Sequence, residues 1–171
     1  MEYRMIDMST YPRQAHFAYF NAMPELRQRI REGGIIEFDA CDTSHTVLRD
    51  DGTYSYCRLD CMEPFDRFLP GAKRRHEEAK GRVNLDDGED GISLLFLSCV
   101  PWLHYTGLRQ PVPTPADSNP RITWGKYTTE HGRTTMPVTL LANHALVDGV
   151  HIGAFYDRLR EELNRFAEGR P

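Results

Sequence analysis

The chain has 171 residues, of which 40% are hydrophobic and 27% are charged. A chain of this length and composition can bury one hydrophobic core, so we expect a single domain over residues 1–171. The formal net charge is -4, with acidic and basic residues interspersed, which argues against nucleic acid as a partner. No stretch approaches the ~18 apolar residues of a membrane span, and the first residues lack the pattern of a signal peptide. We therefore expect a soluble, cytoplasmic protein with no membrane partner.

Four cysteines, Cys41, Cys57, Cys61 and Cys99, are spaced irregularly and lie in apolar contexts. Without a secretion signal, this pattern predicts free thiols rather than disulfides. Cys57 and Cys61 have a spacing that can begin a zinc site, but no second pair follows at the distance that zinc fingers use. We therefore expect no metal at these positions.

The first predicted element is an aromatic helix in which Phe17 and Phe20 lie three residues apart on one side. At Met23-Pro24 it runs directly into an arginine-rich helix over residues 25–31, which the Gly33-Gly34 pair ends. No further element is predicted between the two helices, and such a direct junction is unusual.

A strand pattern follows, with β-branched and aromatic residues bounded by turn residues. Asp51-Gly52 and the segment 130–132, Glu-His-Gly, each separate two such runs and predict hairpins. The runs occupy residues 35–39, 44–48, 54–59, 92–100, 121–127 and 136–142.

Two further helices are predicted. One begins at Pro64, and we expect Pro70-Gly71 to interrupt it before the charged residues 73–80. The proline-rich segment 110–120 cannot hold a regular ladder, so we expect a surface loop there. The last helix is predicted to pack on the sheet through an apolar stripe formed by Ile152, Phe155, Leu159, Leu163 and Phe166.

The strongest chemical signal lies where the strand at 136–142 ends in Asn143-His144 and the chain turns through Asp148-Gly149. Histidine has an unperturbed pKa near ~6.5, so a histidine held at a strand end is a candidate proton acceptor at neutral pH. The bland alternative is a histidine whose hydrogen bonds are satisfied near a strand end. A metal site formed by His144, Asp148 and His151 has the right atom types, but the three side chains would have to converge across a turn, and we do not expect one.

The segment from Asn143 to Gly149 resembles the signature of the chloramphenicol acetyltransferase family and, more loosely, that of the wider coenzyme A-dependent acyltransferases. Further matches occur in the right order near the start, between Tyr11 and Phe20, at Leu97-Ser98-x-x-Pro101-Trp102, and at residues 122–127. Together they cover nearly the whole chain. The resemblance implies an α/β fold, with a mixed β-sheet flanked by helices.

This chain departs from the family pattern in two places. Asn143 stands where the family usually has the first of two histidines, whereas the second, catalytic histidine is present as His144. Between Met23 and Pro24 the family has a core strand and a long apolar helix, and both are absent here. We expect their loss to leave apolar sheet surface exposed and to reduce the burial that stabilises the domain.

The resemblance implies direct acyl transfer, with acetyl-CoA as co-substrate and no metal. His144 is then the general base that takes the proton from an acceptor hydroxyl. Ser98 matches the family serine that donates to the oxyanion, and Thr123 matches a threonine that helps hold a water there. Without the resemblance, Ser98 would be read as an ordinary strand-end hydroxyl and Thr123 as a β-branched strand residue.

Further roles follow from the resemblance alone. Asp148 is expected to pair with Arg13 and hold the histidine turn in shape, so it is not a second base. Tyr19 and Phe20 match residues that line the acceptor pocket, although aromatic residues on a short helix are more often core. The last pair, Lys126 and Tyr127, matches the neighbourhood of the nucleotide end of CoA.

The resemblance implies an O-acetyltransferase acting on chloramphenicol or a similar small acceptor, assembled as a homotrimer with active sites between subunits. Two alternatives stay open. One is a truncated, inactive binding protein, since core elements are missing after Met23. The other is the catalytic domain of a dihydrolipoamide acyltransferase, which shares the His-x-x-x-Asp-Gly spacing but normally follows lipoyl and linker segments.

Overall fold

A computed structural model of the chain describes residues 20–61, 65–113 and 117–167. The strands are β1 (Gln28–Arg31), β2 (Gly34–Glu37), β3 (Thr43–Leu48), β4 (Tyr54–Leu59), β5 (Leu95–Val100), β6 (Arg121–Gly125), β7 (Thr128–Glu130), β8 (Arg133–Thr135) and β9 (Val138–Leu141). The α-helices are α1 (Pro24–Arg27), α2 (Phe65–Gly81) and α3 (Gly149–Ala167), and a 3₁₀ helix spans Glu89–Ser93. Within the described ranges, no helix combines the length and apolar character that crossing a membrane requires.

The main sheet has five strands in the order β4-β3-β5-β6-β9. Strands β3, β5 and β6 run parallel, whereas β4 and β9 are antiparallel to their neighbours. This confirms the predicted mixed sheet and places β5 at its centre. It also confirms both hairpins: β3 pairs with β4 across the Asp51-Gly52 turn, and β6 pairs with β9, with the small β7-β8 hairpin inserted between them.

The core lies between the helices and one face of the sheet. His45, Leu97 and Ile122 are register partners across β3, β5 and β6, so their side chains point to the same face. Leu97 and Ile122 belong to one buried cluster with apolar residues of both long helices: Phe68, Ala72 and Ala79 from α2, and Phe155 and Leu159 from α3. The predicted stripe of the last helix is confirmed for Phe155 and Leu159, with Ile152 and Leu163 partly buried beside them, and Phe166 lies outside the described side chains.

The predicted break at Pro70 is wrong, because α2 runs unbroken from residue 65 to 81 with Pro70 inside it. Phe68 and Ala72 stand on either side of the proline and are 3% and 2% exposed. Proline removes one helical hydrogen bond and crowds the preceding turn. Burial of the flanking side chains therefore holds this helix through a residue that local propensity disfavours.

The predicted arginine-rich helix is also only partly correct, because it ends at Arg27 and residues 28–31 form β1 of a hairpin with β2. Glu32 and Gly33 both have positive φ, at 51° and 78°, which is the backbone of a tight two-residue hairpin turn. Arg29 explains the change, since its side chain is fully buried and donates to the carbonyl oxygens of Ile92 at 2.8 Å and Leu94 at 2.9 Å. An extended backbone delivers this one arginine into the interior.

The proline-rich segment was predicted to lie on the surface, but its end at residues 118–120 is buried. Asn119 is 6% exposed and its side-chain amide donates to the carbonyls of Gly91 and Leu94 at 2.9 and 2.8 Å. Ser118 accepts a hydrogen bond from the backbone N–H of Ile30 at 2.9 Å. Polar side chains that satisfy buried backbone groups replace the missing ladder here.

On the face opposite the helices, β3 and β4 expose apolar side chains. Leu48 and Tyr54, register partners at the ends of β3 and β4, are 67% and 50% exposed. That the chain lacks a core strand and helix after Met23 stays a prediction. Leu48 and Tyr54 are exposed apolar side chains against which an additional layer of structure would pack.

We expect replacement of Arg29 by Met to lower the free energy of unfolding by about 2 kcal/mol or more, because buried carbonyls lose their donors. The measurement is urea unfolding followed by circular dichroism. Arg31→Met is the matched control, because Arg31 lies on the same strand with an exposed side chain and should change stability by no more than about 0.5 kcal/mol. Equal effects of the two substitutions would contradict a special role for Arg29.

Candidate active site

Three hydroxyl side chains form a row across the face of the sheet that the helices do not cover. Ser98 on β5 is the register partner of Thr123 on β6, which is the register partner of Thr139 on β9. Register partners point to the same side of a sheet, so the structure brings Ser98 and Thr123 together. Ser98 is half-buried, and Thr123 is 2% exposed.

Two residues that were not identified from the sequence surround Thr123. The side-chain amide of Gln110 donates to the Thr123 hydroxyl. Tyr105 donates its hydroxyl proton to the Thr123 carbonyl at 2.8 Å and accepts a hydrogen bond from Thr139 at 3.2 Å. No local pattern marks these contacts, because the loop after β5 folds back over the row. The Thr123 hydroxyl thus accepts from a protein side chain, and its predicted role in holding a water near the oxyanion stays a prediction.

Gly125 permits this loop to approach. A Cβ atom at this position would lie 2.5 Å from the carbonyl oxygen of Leu103 and 2.9 Å from the ring of Tyr105. The backbone N–H of Lys126 donates to the same Leu103 carbonyl at 2.6 Å, which fixes the loop against the end of β6. Only glycine leaves enough room for Tyr105 to reach the Thr123 carbonyl.

His144 lies in the turn between β9 and α3, and its side chain is exposed. Asn143 shapes this turn: its carbonyl accepts from the N–H groups of Leu146 and Val147 at 3.0 Å each, and its side chain accepts from the N–H of Ala145 at 3.0 Å. The His144 Nδ1 atom lies 3.2 Å from the carbonyl oxygen of Val147. A carbonyl can only accept, so in the neutral ring Nδ1 carries the proton and Nε2 keeps its lone pair.

Ser98 and His144 do not meet within one chain. Ser98 is level with Thr139, and β9 then runs antiparallel to β5 and β6 for two more residues before the turn that carries His144. Strand spacing of about 4.8 Å and a rise of about 3.3 Å per residue separate the two residues by on the order of 12 Å or more. The carboxyl ends of β5 and β9 therefore point to opposite ends of the sheet, along the strand direction.

Asp148 precedes the first residue of α3 and caps that helix. Its Oδ1 accepts from the backbone N–H groups of Val150 at 2.9 Å and His151 at 3.4 Å. These two backbone hydrogen bonds, helped by attraction to His151 and His144, hold the pKa of the Asp148 carboxyl below its ordinary value. The expected ion pair with Arg13 involves a residue outside the described ranges, so that part of the prediction is untested.

The remaining predicted residues are dispersed. The ring of Phe20 stacks on that of Phe155, with centroids 5.5 Å apart, and is 1% exposed, so it belongs to the core rather than to a pocket open to an acceptor. Tyr19 lies outside the described residues. Lys126 and Tyr127 are exposed together just after β6, and their contact with CoA stays a prediction.

The described residues offer neither a cluster of metal ligands nor, at Cys61 and Cys99, a thiol that ionises readily. No group of three or more His, Cys, Asp or Glu side chains within residues 20–61, 65–113 and 117–167 has the arrangement to hold a metal ion. All four cysteines are free thiols, as predicted. Burial raises the pKa of Cys61 to about 12 and that of Cys99 to about 11, so neither is a ready thiolate nucleophile.

A mixed sheet flanked by helices, with the strand order found here, is an α/β fold of the coenzyme A-dependent acyltransferase type. A solved dihydrolipoamide acetyltransferase of Azotobacter vinelandii, in which a serine, a histidine and an asparagine were studied for their catalytic roles, has this fold with a TM-score of 0.66. It is 16% identical in sequence, and the match covers 85% of this chain and 63% of that one.

The chain belongs to the chloramphenicol acetyltransferase family, whose sequence profile matches residues 18–160. Chloramphenicol acetyltransferase 3 of Escherichia coli is 29% identical over 148 residues, which cover 84% of this chain and 69% of that protein. A chloramphenicol acetyltransferase of Klebsiella sp is 27% identical over 167 residues, covering 93% and 74% of the two chains. A solved structure of a chloramphenicol acetyltransferase has a TM-score of 0.72 at 24% identity, and the match covers 88% of this chain and 74% of that one.

The cap at Asp148 generates a prediction about pH. Because its pKa is lowered on folding, the carboxylate stabilises the fold at pH values above its ordinary pKa of 3.8, and this contribution is lost as the pH falls through the lower folded value. Asp148→Asn keeps an acceptor but not the charge. We expect wild type to melt at a higher temperature than Asp148→Asn at pH 6, and the difference to disappear in strongly acidic buffer. A difference that is independent of pH would show that the charge of Asp148 contributes nothing.

Proposed function

We propose that this enzyme transfers the acetyl group of acetyl-CoA to a hydroxyl group of chloramphenicol or a similar small acceptor, with His144 as general base. The observation that carries the proposal is the contact between His144 Nδ1 and the Val147 carbonyl, which in the neutral ring places the proton on Nδ1 and leaves Nε2 as an exposed acceptor. A neutral imidazole held in one tautomer is the form that a general base needs. The names of the family members support the acetyl donor chemistry and the acceptor.

The proposed reaction is a direct transfer with no covalent enzyme intermediate. Nε2 of His144 takes the acceptor hydroxyl proton as that oxygen attacks the thioester carbonyl, and a tetrahedral oxyanion forms. The intermediate breaks its bond to sulfur, which yields the acetyl ester and CoA thiolate, and the proton on His144 passes to that sulfur. The raised pKa values of Cys61 and Cys99 favour this direct route over an acyl-cysteine, because buried thiols are poor nucleophiles at neutral pH.

Ser98 is proposed to stabilise the oxyanion, and Thr123, its register partner on the adjacent strand, to help hold a water near it. Because Ser98 and His144 lie at opposite ends of one sheet, we infer that each active site combines His144 of one copy with Ser98 of a neighbouring copy. A closed ring of three copies, joined head to tail, supplies three such sites. Lys126 and Tyr127, exposed at the same end of the sheet as the loop after β5, are proposed to contact the nucleotide part of CoA.

The first prediction of this proposed mechanism is that His144→Ala lowers the rate of acetyl transfer by about 10²–10⁴, the usual contribution of a general base. Release of the CoA thiol in the presence of chloramphenicol measures this rate, and calorimetry checks that CoA still binds. His131→Asn is the matched control, because His131 has a positive φ of 52° in the β7-β8 turn, a conformation that asparagine tolerates. Full turnover by the His144→Ala protein would exclude His144 as the base.

The second prediction separates binding from catalysis at Ser98. A hydroxyl that donates to an oxyanion acts mainly in the transition state, so Ser98→Ala should lower kcat by about 10²–10³ with a much smaller change in KM. A rise in KM alone would instead assign Ser98 to substrate binding.

The third prediction tests whether the site lies between copies. His144→Ala and Ser98→Ala proteins are unfolded together in equal amounts and refolded as a mixture. If each site takes its histidine and serine from different copies, random assembly gives about a quarter of the sites both native residues, and activity returns to roughly that fraction of wild type. Refolding each variant alone is the control. No recovery in the mixture would place both residues of a site in one chain.

A further inference from the structure

One peptide group, which joins Val147 to Asp148, is held on both sides by histidines. Its carbonyl oxygen accepts from Nδ1 of His144 at 3.2 Å. Its N–H donates to Nδ1 of His151 at 3.1 Å. The two histidines therefore act on opposite ends of the same planar unit, so the orientation of this peptide group and that of the His144 ring are coupled.

The hydrogen bonds determine where each proton lies. His151 accepts at Nδ1, so its own proton is on Nε2 in the neutral ring. That Nε2 lies 3.5 Å from Oε1 of Glu25 in α1. The two hydrogen bonds point the same way, from His144 to the peptide carbonyl and from the peptide N–H to His151, whose Nε2 in turn faces the Glu25 carboxylate. The chain of contacts ends at the unprotonated Nε2 of His144.

The same residues close a reciprocal cap at the start of α3. Asp148 accepts from the backbone N–H of His151, while the side chain of His151 accepts from the backbone N–H of Asp148. This is the arrangement of a capping box, with histidine in the place where glutamate or glutamine is usual. The charged groups that face His151 are Asp148, whose Oδ1 is 3.2 Å from Nδ1, and Glu25 on α1.

We propose that His151 and Glu25 are positioning residues for His144, which act through the Val147–Asp148 peptide group. A peptide whose N–H is engaged has a more polar carbonyl, because hydrogen bonds in series polarise one another. The Val147 carbonyl therefore holds the Nδ1 proton of His144 more firmly and keeps Nε2 free to accept. The role in catalysis rests on the proposed function of His144, whereas the effect on its protonation pattern does not.

Nuclear magnetic resonance tests that pattern directly. In protein with ¹⁵N-labelled histidine, two-bond correlations at pH 8 distinguish a protonated ring nitrogen from an unprotonated one. We expect His144 to carry its proton on Nδ1 and His151 on Nε2. In His151→Ala, the His144 ring should become a mixture of both neutral forms, whereas His151→Gln, whose side-chain oxygen can accept the same N–H, should keep the wild-type form.

Kinetics give the second readout. His151→Ala should lower kcat by about tenfold to a hundredfold, with KM for acetyl-CoA changed by no more than about twofold, because orientation of the base is lost rather than binding. His151→Gln should stay within about threefold of wild type. The control is Val150→Gly, which weakens the same turn of α3 at a side chain that is 78% exposed and should also stay within about threefold.

Three results would overturn the proposal: an unchanged His144 proton position in His151→Ala, no rescue by His151→Gln, or an equal loss of kcat in Val150→Gly. If His151→Ala does not fold, Glu25→Ala decides alone, and it should move the His144 signals toward the mixed form. Unchanged signals in that variant would refute the proposal. A wild-type protein that shows the predicted proton positions but transfers no acetyl group would refute the proposed function and leave the coupling standing.

Discussion

The buried guanidinium of Arg29 is the constraint on which the arrangement of the site depends. It donates to the carbonyls of Leu26, Gln28, Ile92 and Leu94, so it connects α1 and β1 to the residues that enter β5. Burial lowers the pKa of Arg29, because desolvation disfavours its charged form, whereas its contact with Cys41 opposes that shift. Backbone carbonyls surround the cation where a carboxylate would be expected. β5 begins immediately after Leu94 and carries Ser98, so the position of the serine follows from this contact.

Asn119 also holds the residue that precedes β5. It donates to the Leu94 carbonyl that Arg29 also contacts, and it lies two residues before β6. Two polar side chains from distant parts of the chain thus align the starts of the two parallel strands. Because Phe96 of β5 pairs with Arg121 of β6, Ser98 and Thr123, each two residues farther along, become register partners.

The direction of the strands then places the proposed site residues at opposite ends of the sheet. Parallel β5 and β6 carry Ser98 and Thr123 toward one end, and antiparallel β9 carries His144 toward the other. A single chain therefore separates its proposed base from its proposed oxyanion donor. This separation is the physical reason for proposing that each site combines residues of two copies.

The turn between β9 and α3 brings several of the proposed site residues together. Asn143 orders the backbone, Asp148 caps the helix, and the peptide group before Asp148 is held by His144 and His151. The substitution of asparagine for the family's usual first histidine is accommodated because its carbonyl and side chain bond the next turn of backbone. Local polar contacts, more than burial, hold the exposed His144 in place.

The sequence by itself was sufficient for features that depend on neighbouring residues. Side-chain period and turn chemistry predicted the hairpin at Asp51-Gly52, the strand with Ser98 and the helix after Asp148, and the spacing from Asn143 to Gly149 indicated the histidine. Tertiary structure decided the rest. It drew residues 28–31 into a strand so that Arg29 could reach buried carbonyls, and it held α2 straight through Pro70 by burying the side chains around it. It also brought Gln110 to Thr123 and Glu25 to His151, contacts between residues far apart in sequence that no local period records, because they exist only once the sheet has formed.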